Sequence, residues 1–388
     1  MALACSTFFF LATGCKTAKI DTSSWIANLD DGIKAAQNEN KRIILFFSAD
    51  EDGTSRALKD TLLETADFLA AETERYVLVN LDFSASRYEA AMALYTTETE
   101  LTKAEEQQAR DAQESLTRDM KTAMYLAANE SPSFYVLTKD GYPACQLQLP
   151  EDIAAAADFD AIIAEQEEAI ADYEALIAAV NSSNGVEKAR AIDNVFESTT
   201  AEWRYMVLPL SAQLEKLDPK NETGAVGKHL LALANGNASD AFLQQDIQGA
   251  ASAFATVAEN SVLTADEKQE AYYTAAYLLA QGGSTDYAAI RTFAQKSYDA
   301  APTSEHADMI QAFIGQVEAQ IDAVEQMQKD VDITADEGYT TIHPEAAPDG
   351  TTALTDSALS GDHAADTAVP ADAASSDDRT ASGSDSAE

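Results

Sequence analysis

The sequence predicts an α/β domain, with a mixed central sheet flanked by helices, followed by an all-α helical bundle or solenoid-like domain. Three observations carry this. Ile43-Ile44-Leu45-Phe46-Phe47 is apolar at every position, the mark of a short strand covered on both faces. A second strand-like run, YVLVNLDF from Tyr76 to Phe83, follows after a helical pattern. From Pro150 onward the strand signals vanish, and apolar residues recur in steps of three and four.

With 388 residues and 46% hydrophobic composition, the chain is long enough and apolar enough for two globular cores. Its formal net charge of −41 argues against nucleic acid as a partner, since a polyphosphate would be repelled. The opening MALACSTFFFLATGCKTAK carries an apolar run too short to span a bilayer but suited to a secretory signal over residues 1–15. Leu11-Ala12-Thr13-Gly14-Cys15 resembles a bacterial lipobox, which implies lipidation at Cys15 and a linker over residues 16–24. Processing at Cys15 leaves Cys145 as the one remaining thiol, which excludes an intramolecular disulfide, a dithiol redox cycle and a cysteine zinc site.

The first domain is expected over residues 25–150. Trp25, Ile26, Leu29, Ile33 and Ala36 have helical spacing and predict an opening helix. After the strand at Ile43 comes a loop from Ser48 to Thr54, then a helix with Leu58, Leu62, Ala66 and Leu69 on one side and Thr54 or Ser55 as its N-cap. The strand from Tyr76 completes a β-α-β unit, and right-handed crossover makes its two strands parallel. A helical insertion is expected at about 84–128, with Leu101, Ala104, Ala112, Leu116, Met120 and Met124 as a thin apolar stripe. Phe134 to Thr138 then forms a strand, Lys139-Asp140-Gly141 a turn, and the return strand alternates Cys145, Leu147 and Leu149 with Ala144, Gln146 and Gln148. This alternation places Cys145 inward as a buried thiol.

Trp25, then AAQNENKRIILFFSAD from Ala35, YVLVNLDF from Tyr76 and SPSFYVLTKDG from Ser131 together resemble bacterial secreted thioredoxin-fold proteins over residues 25–150. The resemblance implies a thioredoxin-like fold with a reactive C-x-x-C at the loop-to-helix junction. The matching positions here are Asp52, Gly53, Thr54 and Ser55, so both sulfurs are missing. It also implies a cis-proline facing that loop, at Pro132. Reduction of a disulfide needs a low-pKa thiolate and a resolving thiol, which neither a carboxylate nor a hydroxyl replaces.

The second domain is expected over residues 151–330. Phe159, Ile163, Gln166, Ile170, Tyr173, Ile177 and Val180 form one stripe of a long helix that NSSNG, from Asn181, breaks. Trp203, Val207, Leu210, Leu214 and Leu217 predict another helix, bent at Pro209. Thr264 to Glu267 reads as a capping box for a helix ending at Gly282-Gly283, and the last helix carries Ile310, Ile314, Val317, Ile321 and Val324. Residues Ala271 to Pro302 are weakly similar to a tetratricopeptide helix pair. Tyr272, Tyr273 and Tyr277, at helical spacing there, read as packing residues or as a groove lining. Residues 331–388 are acidic and poor in large apolar residues, which predicts a disordered tail.

His229, His306, His343 and His363 stand apart in the sequence from one another and from suitable partners, so no metal site, catalytic triad or cofactor site is expected. The expectation is a non-enzymatic, membrane-anchored lipoprotein of the bacterial envelope, periplasm-facing or surface-exposed, whose partners are the membrane and envelope proteins or peptides. Two rivals are a thiol-disulfide enzyme using Cys145 or an external thiol, and a purely structural envelope protein.

Overall fold

The computed structural model describes residues 24–96, 101–150 and 152–336. The residues expected as signal peptide, Cys15, most of the expected linker and the acidic stretch beyond residue 336 lie outside the described residues.

Five strands make one mixed sheet in the order β1-β3-β2-β4-β5: β1 Trp25–Ile26, β2 Arg42–Ser48, β3 Tyr76–Asp82, β4 Ser133–Leu137 and β5 Pro143–Leu147. β1 and β2 pair with β3 in parallel, while β4 pairs antiparallel with β2 and β5. β1 corrects the expected opening helix, because Trp25 and Ile26 are extended. The helix α1 begins only at Leu29 and runs to Glu39; Asn28 caps it, accepting from the Asp31 amide at 2.8 Å. Gly32 lets α1 press onto the sheet, since a Cβ there would stand 2.3 Å from Val79 Cγ2. Gly141, at φ +85°, supplies the left-handed residue of the β4–β5 turn.

Alternation divides the sheet into two cores. On one face Ile44, Phe46, Leu78, Phe134, Val136 and Leu147 pack with Leu62, Phe68 and Phe159. The Phe46 and Phe134 rings stack at 4.5 Å, and Phe68 meets Phe159 edge-on at 5.2 Å. On the other face Ile43, Leu45, Phe47, Val79, Leu81 and Tyr135 pack against Leu29, Ala36 and Trp203.

Between β2 and β3 the expected single helix is three pieces: α2 Gly53–Leu58, a π-helical turn Lys59–Leu63 and α3 Ala66–Glu72. Thr65 restarts the chain by capping α3 through the Phe68 amide at 3.3 Å. The insertion is two helices, α4 Ala85–Thr96 and α5 Lys103–Tyr125. Its stripe is displaced from the expected one. Met120 and Met124 are exposed, whereas Ala109, Leu116 and Asp119 are buried. Asp119 turns inward because Arg87 of α4 pairs with it and also donates to Ser115 at 2.9 Å.

α6, Ala156–Ser182, begins just past the expected boundary at residue 150 and serves the cores on both sides of it. Its Phe159, Ile163 and Ile170 complete the core of the sheet, while Tyr173, Ile177 and Val180 enter a second core with Ile192, Val195 and Leu214. Arg42 of β2 forks onto the same helix, 2.7 Å from Glu167 and 2.8 Å from Glu174.

Next come α7 Gly185–Ser198, a 3-10 segment Ala201–Val207, α8 Leu208–Ser211 and α9 Leu214–Leu217. The helix expected from Trp203 to Leu217 is therefore three short turns, because Pro209 sits in the first turn of α8, where its missing amide costs least. α10 Val226–Leu243, α11 Ile247–Ala258, α12 Ala265–Gln281, α13 Tyr287–Ala300 and α14 Ala307–Asp336 each pack on their neighbour in chain order. α14 extends six residues into the segment expected as tail. Ala234, Ala238, Ala250, Ala251, Ala275, Ala276 and Ala294 line this core, where small side chains let helices approach closely. The Thr264–Glu267 capping box is formed, with reciprocal bonds of 3.2 and 2.7 Å. Tyr272 is buried, and Tyr273 meets Phe313 edge-on at 5.9 Å, which makes these rings packing residues. Among the described residues no helix is long and apolar enough to cross a membrane.

Candidate functional site

The β2–α2 junction lies at the carboxyl ends of the parallel strands. Asp52, not Thr54 or Ser55, is the N-cap of α2: its carboxylate accepts from the Thr54 amide at 3.1 Å and the Ser55 amide at 2.8 Å. One short carboxylate can take two orphan amides at once, which a hydroxyl cannot do as well. Burial pushes the Asp52 carboxyl up, but hydrogen bonds from Ser55 and Thr54 outweigh it and hold the group below its ordinary value. Gly53 and Thr54 are exposed at the tip, and Ser55 is fully buried.

Ser55 Oγ lies 2.9 Å from Ser131 Oγ, which fastens the helix start to the segment preceding β4. The Ser131–Pro132 peptide bond is cis. The helix start at Asp52–Ser55 and the Ser131–Pro132 segment, distant in sequence, are therefore joined by a hydroxyl–hydroxyl bond. Cys145 does not join them. It pairs in register with Val136, three residues along β4 from Ser133, roughly 10 Å at the usual rise of a strand. Burial pushes its thiol up to about 11, and only 8% of the residue is exposed.

At the opposite end of the sheet an open groove of about 1170 Å³ runs between the strand starts and α6. Its cations are already engaged: Arg42 with Glu167 and Glu174, Arg75 with Asp160, and Lys139 with Asn40 at 2.7 Å.

The histidines require a correction. His229 is not isolated: its Nδ1 lies 2.8 Å from Ser211 Oγ and its Nε2 3.0 Å from Asp193 Oδ1. The order Ser–His–Asp resembles a hydrolytic triad, but His229 is fully buried and Ser211 is 2% exposed, so no substrate reaches the hydroxyl. The line instead ties α8, α10 and α7 together. Lys228 adds a 2.7 Å ion pair to Asp193. Burial raises the Asp193 carboxyl, and the bonds from His229 and Lys228 more than reverse this. Sequence offered no signal for the network, since its members are separated by 18 and 36 residues without a motif. His306 sits 3.6 Å from its neighbour Glu305 on the surface, and His343 and His363 lie outside the described residues. Among the described residues no group of three or more metal-ligating side chains comes together.

The mixed sheet, its flanking helices and the capped loop define the class: this is a thioredoxin-like domain followed by a helical region, α6 to α14. Residues 24–119 match a family model described as thioredoxin-like. Residues 225–323, which span α10 to the middle of α14, match a second one described as an uncharacterised protein C-terminal domain. No curated protein matches the chain.

Proposed function

We propose that this protein is a redox-inactive thioredoxin-fold lipoprotein, anchored through Cys15 in the bacterial envelope, that works as a protein-binding or scaffold module. The observation that carries the reading is the chemistry at the loop. Asp52 and Ser55 stand where the family's two thiols belong, and each is committed to holding the backbone, Asp52 as a cap and Ser55 through Ser131. The exposed Gly53–Thr54 tip beside Pro132 then offers backbone groups and surface to an extended segment of a partner. A single acyl chain holds a protein only marginally at a membrane, so the anchor calls for the several chains of a lipoprotein.

The thiol-enzyme reading uses Cys145 or an external thiol as nucleophile, and the buried position and raised pKa of Cys145 disfavour its thiolate. Turnover of a model disulfide by the purified mature protein tests this. The proposal expects no rate above a free-thiol background and no change in Cys145→Ala. Turnover that Cys145→Ala abolishes would overturn it.

A further inference from the structure

A cavity of about 430 Å³ opens at the carboxyl ends of the parallel strands, between the π-helical turn and the α4–α5 arm. Its size is that of a small-molecule site, and its place is where ligands settle in open α/β sheets. The floor is aromatic: Trp25 is partly buried there, and the Phe46 ring, 1% exposed, backs it at 5.9 Å.

The polar walls divide by what is left unclaimed. The Asn80 carbonyl accepts from the Ser48 hydroxyl at 2.8 Å, so the Asn80 amide keeps both hydrogens for another acceptor. Lys59 makes one bond, to Asp50 at 2.8 Å, and its ammonium has two further donors. Arg87 is spent on Asp119, Ser115 and the Asp82 carbonyl, and both Asp82 carboxylate oxygens are taken by Ser84. Glu64, on the rim, forms no side-chain hydrogen bond or ion pair among the described residues.

What remains is a pair of donors, one free carboxylate and an apolar floor. We propose that this cavity binds a free α-amino acid with an apolar side chain: Lys59 and Asn80 take its carboxylate, Glu64 its ammonium, and Trp25 with Phe46 its side chain. A polyanion is disfavoured because Asp50 and Asp119 already neutralise the two cations, and Glu64 and Asp82 would repel it. A neutral sugar would leave the Glu64 carboxylate without a counter-charge to meet. The arm contributes Arg87 and Ser115, so the insertion completes the cavity wall.

Calorimetric titration of the whole chain with L-phenylalanine, L-phenylalaninamide and N-acetyl-L-phenylalanine tests the assignment. The free amino acid should bind, and each blocked form should bind roughly tenfold or more weakly, the worth of one charge-assisted hydrogen bond. Glu64→Gln should erase the difference between the free and N-acetylated forms, and Lys59→Met that between the free acid and the amide. The three-ligand comparison on the unaltered protein stands even where a variant folds poorly. No binding at about 10 mM, or equal binding of all three ligands, would overturn the proposal. Such a failure leaves the loop-contact reading untouched, because no cavity residue belongs to loop 48–55.

Discussion

Glu72 carries its carboxyl into a fully buried position where neither oxygen has a hydrogen-bond partner. Arg75 Nη1 stands 3.8 Å away but is committed to Asp160 of α6, and its Nη2 donates to the Tyr76 hydroxyl at 3.1 Å. Lys41 is turned to the Thr73 carbonyl at 2.8 Å and to Glu39. Burial first, then the Asp160 charge, pushes Glu72 from its ordinary 4.5 up to about 7. The folded protein therefore holds a proton that the unfolded chain has lost between those values, so stability falls as pH rises through that window. The full shift corresponds to about 3 kcal/mol, an upper figure. In Glu72→Gln, chemical unfolding followed across this window should lose most of that decline; an unchanged decline would contradict the assignment. His229→Ala should cost about 3 kcal/mol, because it opens a hole in a buried site, strips the Ser211 hydroxyl of its imidazole partner and leaves Asp193 with Lys228 alone. A stability unchanged in urea unfolding would show the network to be dispensable.

At the scale of elements, the strands and most long helices were legible because their periodicities are strong. The residues Phe159, Ile163, Ile170, Tyr173, Ile177 and Val180 are buried as their spacing requires. Spacing alone did not tell that the first three face a sheet and the last three a helical core, since both neighbours are equally apolar. The expected boundary at residue 150 therefore assigns all of α6 to the helical domain, although its first half packs on the sheet. Phe159→Ala should destabilise the protein by about 3–5 kcal/mol, the range for removing a buried aromatic ring. A loss below about 1 kcal/mol, read from thermal and urea unfolding, would mean that α6 is not part of the sheet's core. The arm's buried stripe was misread for a different reason: an ion pair, Arg87 with Asp119, overrode the apolar ranking that favours Met120. At the candidate site, the positions Asp52, Gly53, Thr54 and Ser55 were read from the resemblance, whereas the Asp52 cap and the Ser55–Ser131 bond needed three-dimensional placement.

Across the whole molecule, sheet and helices form one continuous body. α6 is shared by two cores, and α5 reaches α10 through Lys121 and Tyr125, which meet Asp240 at 2.7 and 2.8 Å. Tyr125 also stacks on Tyr205 at 5.0 Å. The loop tip is thus carried on a frame braced from both sides, and a rigid presenting surface loses little entropy when a partner docks. Under the proposed contact function, a net charge of −41 makes a partner with a basic or neutral face the expectation. The most direct test of contact as the function is crosslinking in native membranes, comparing the unaltered protein with Thr54→Arg, a change at an exposed position of the loop tip. The account predicts a discrete set of captured proteins that is diminished in the variant; an identical set in both, or no preferred partner in either, would contradict it.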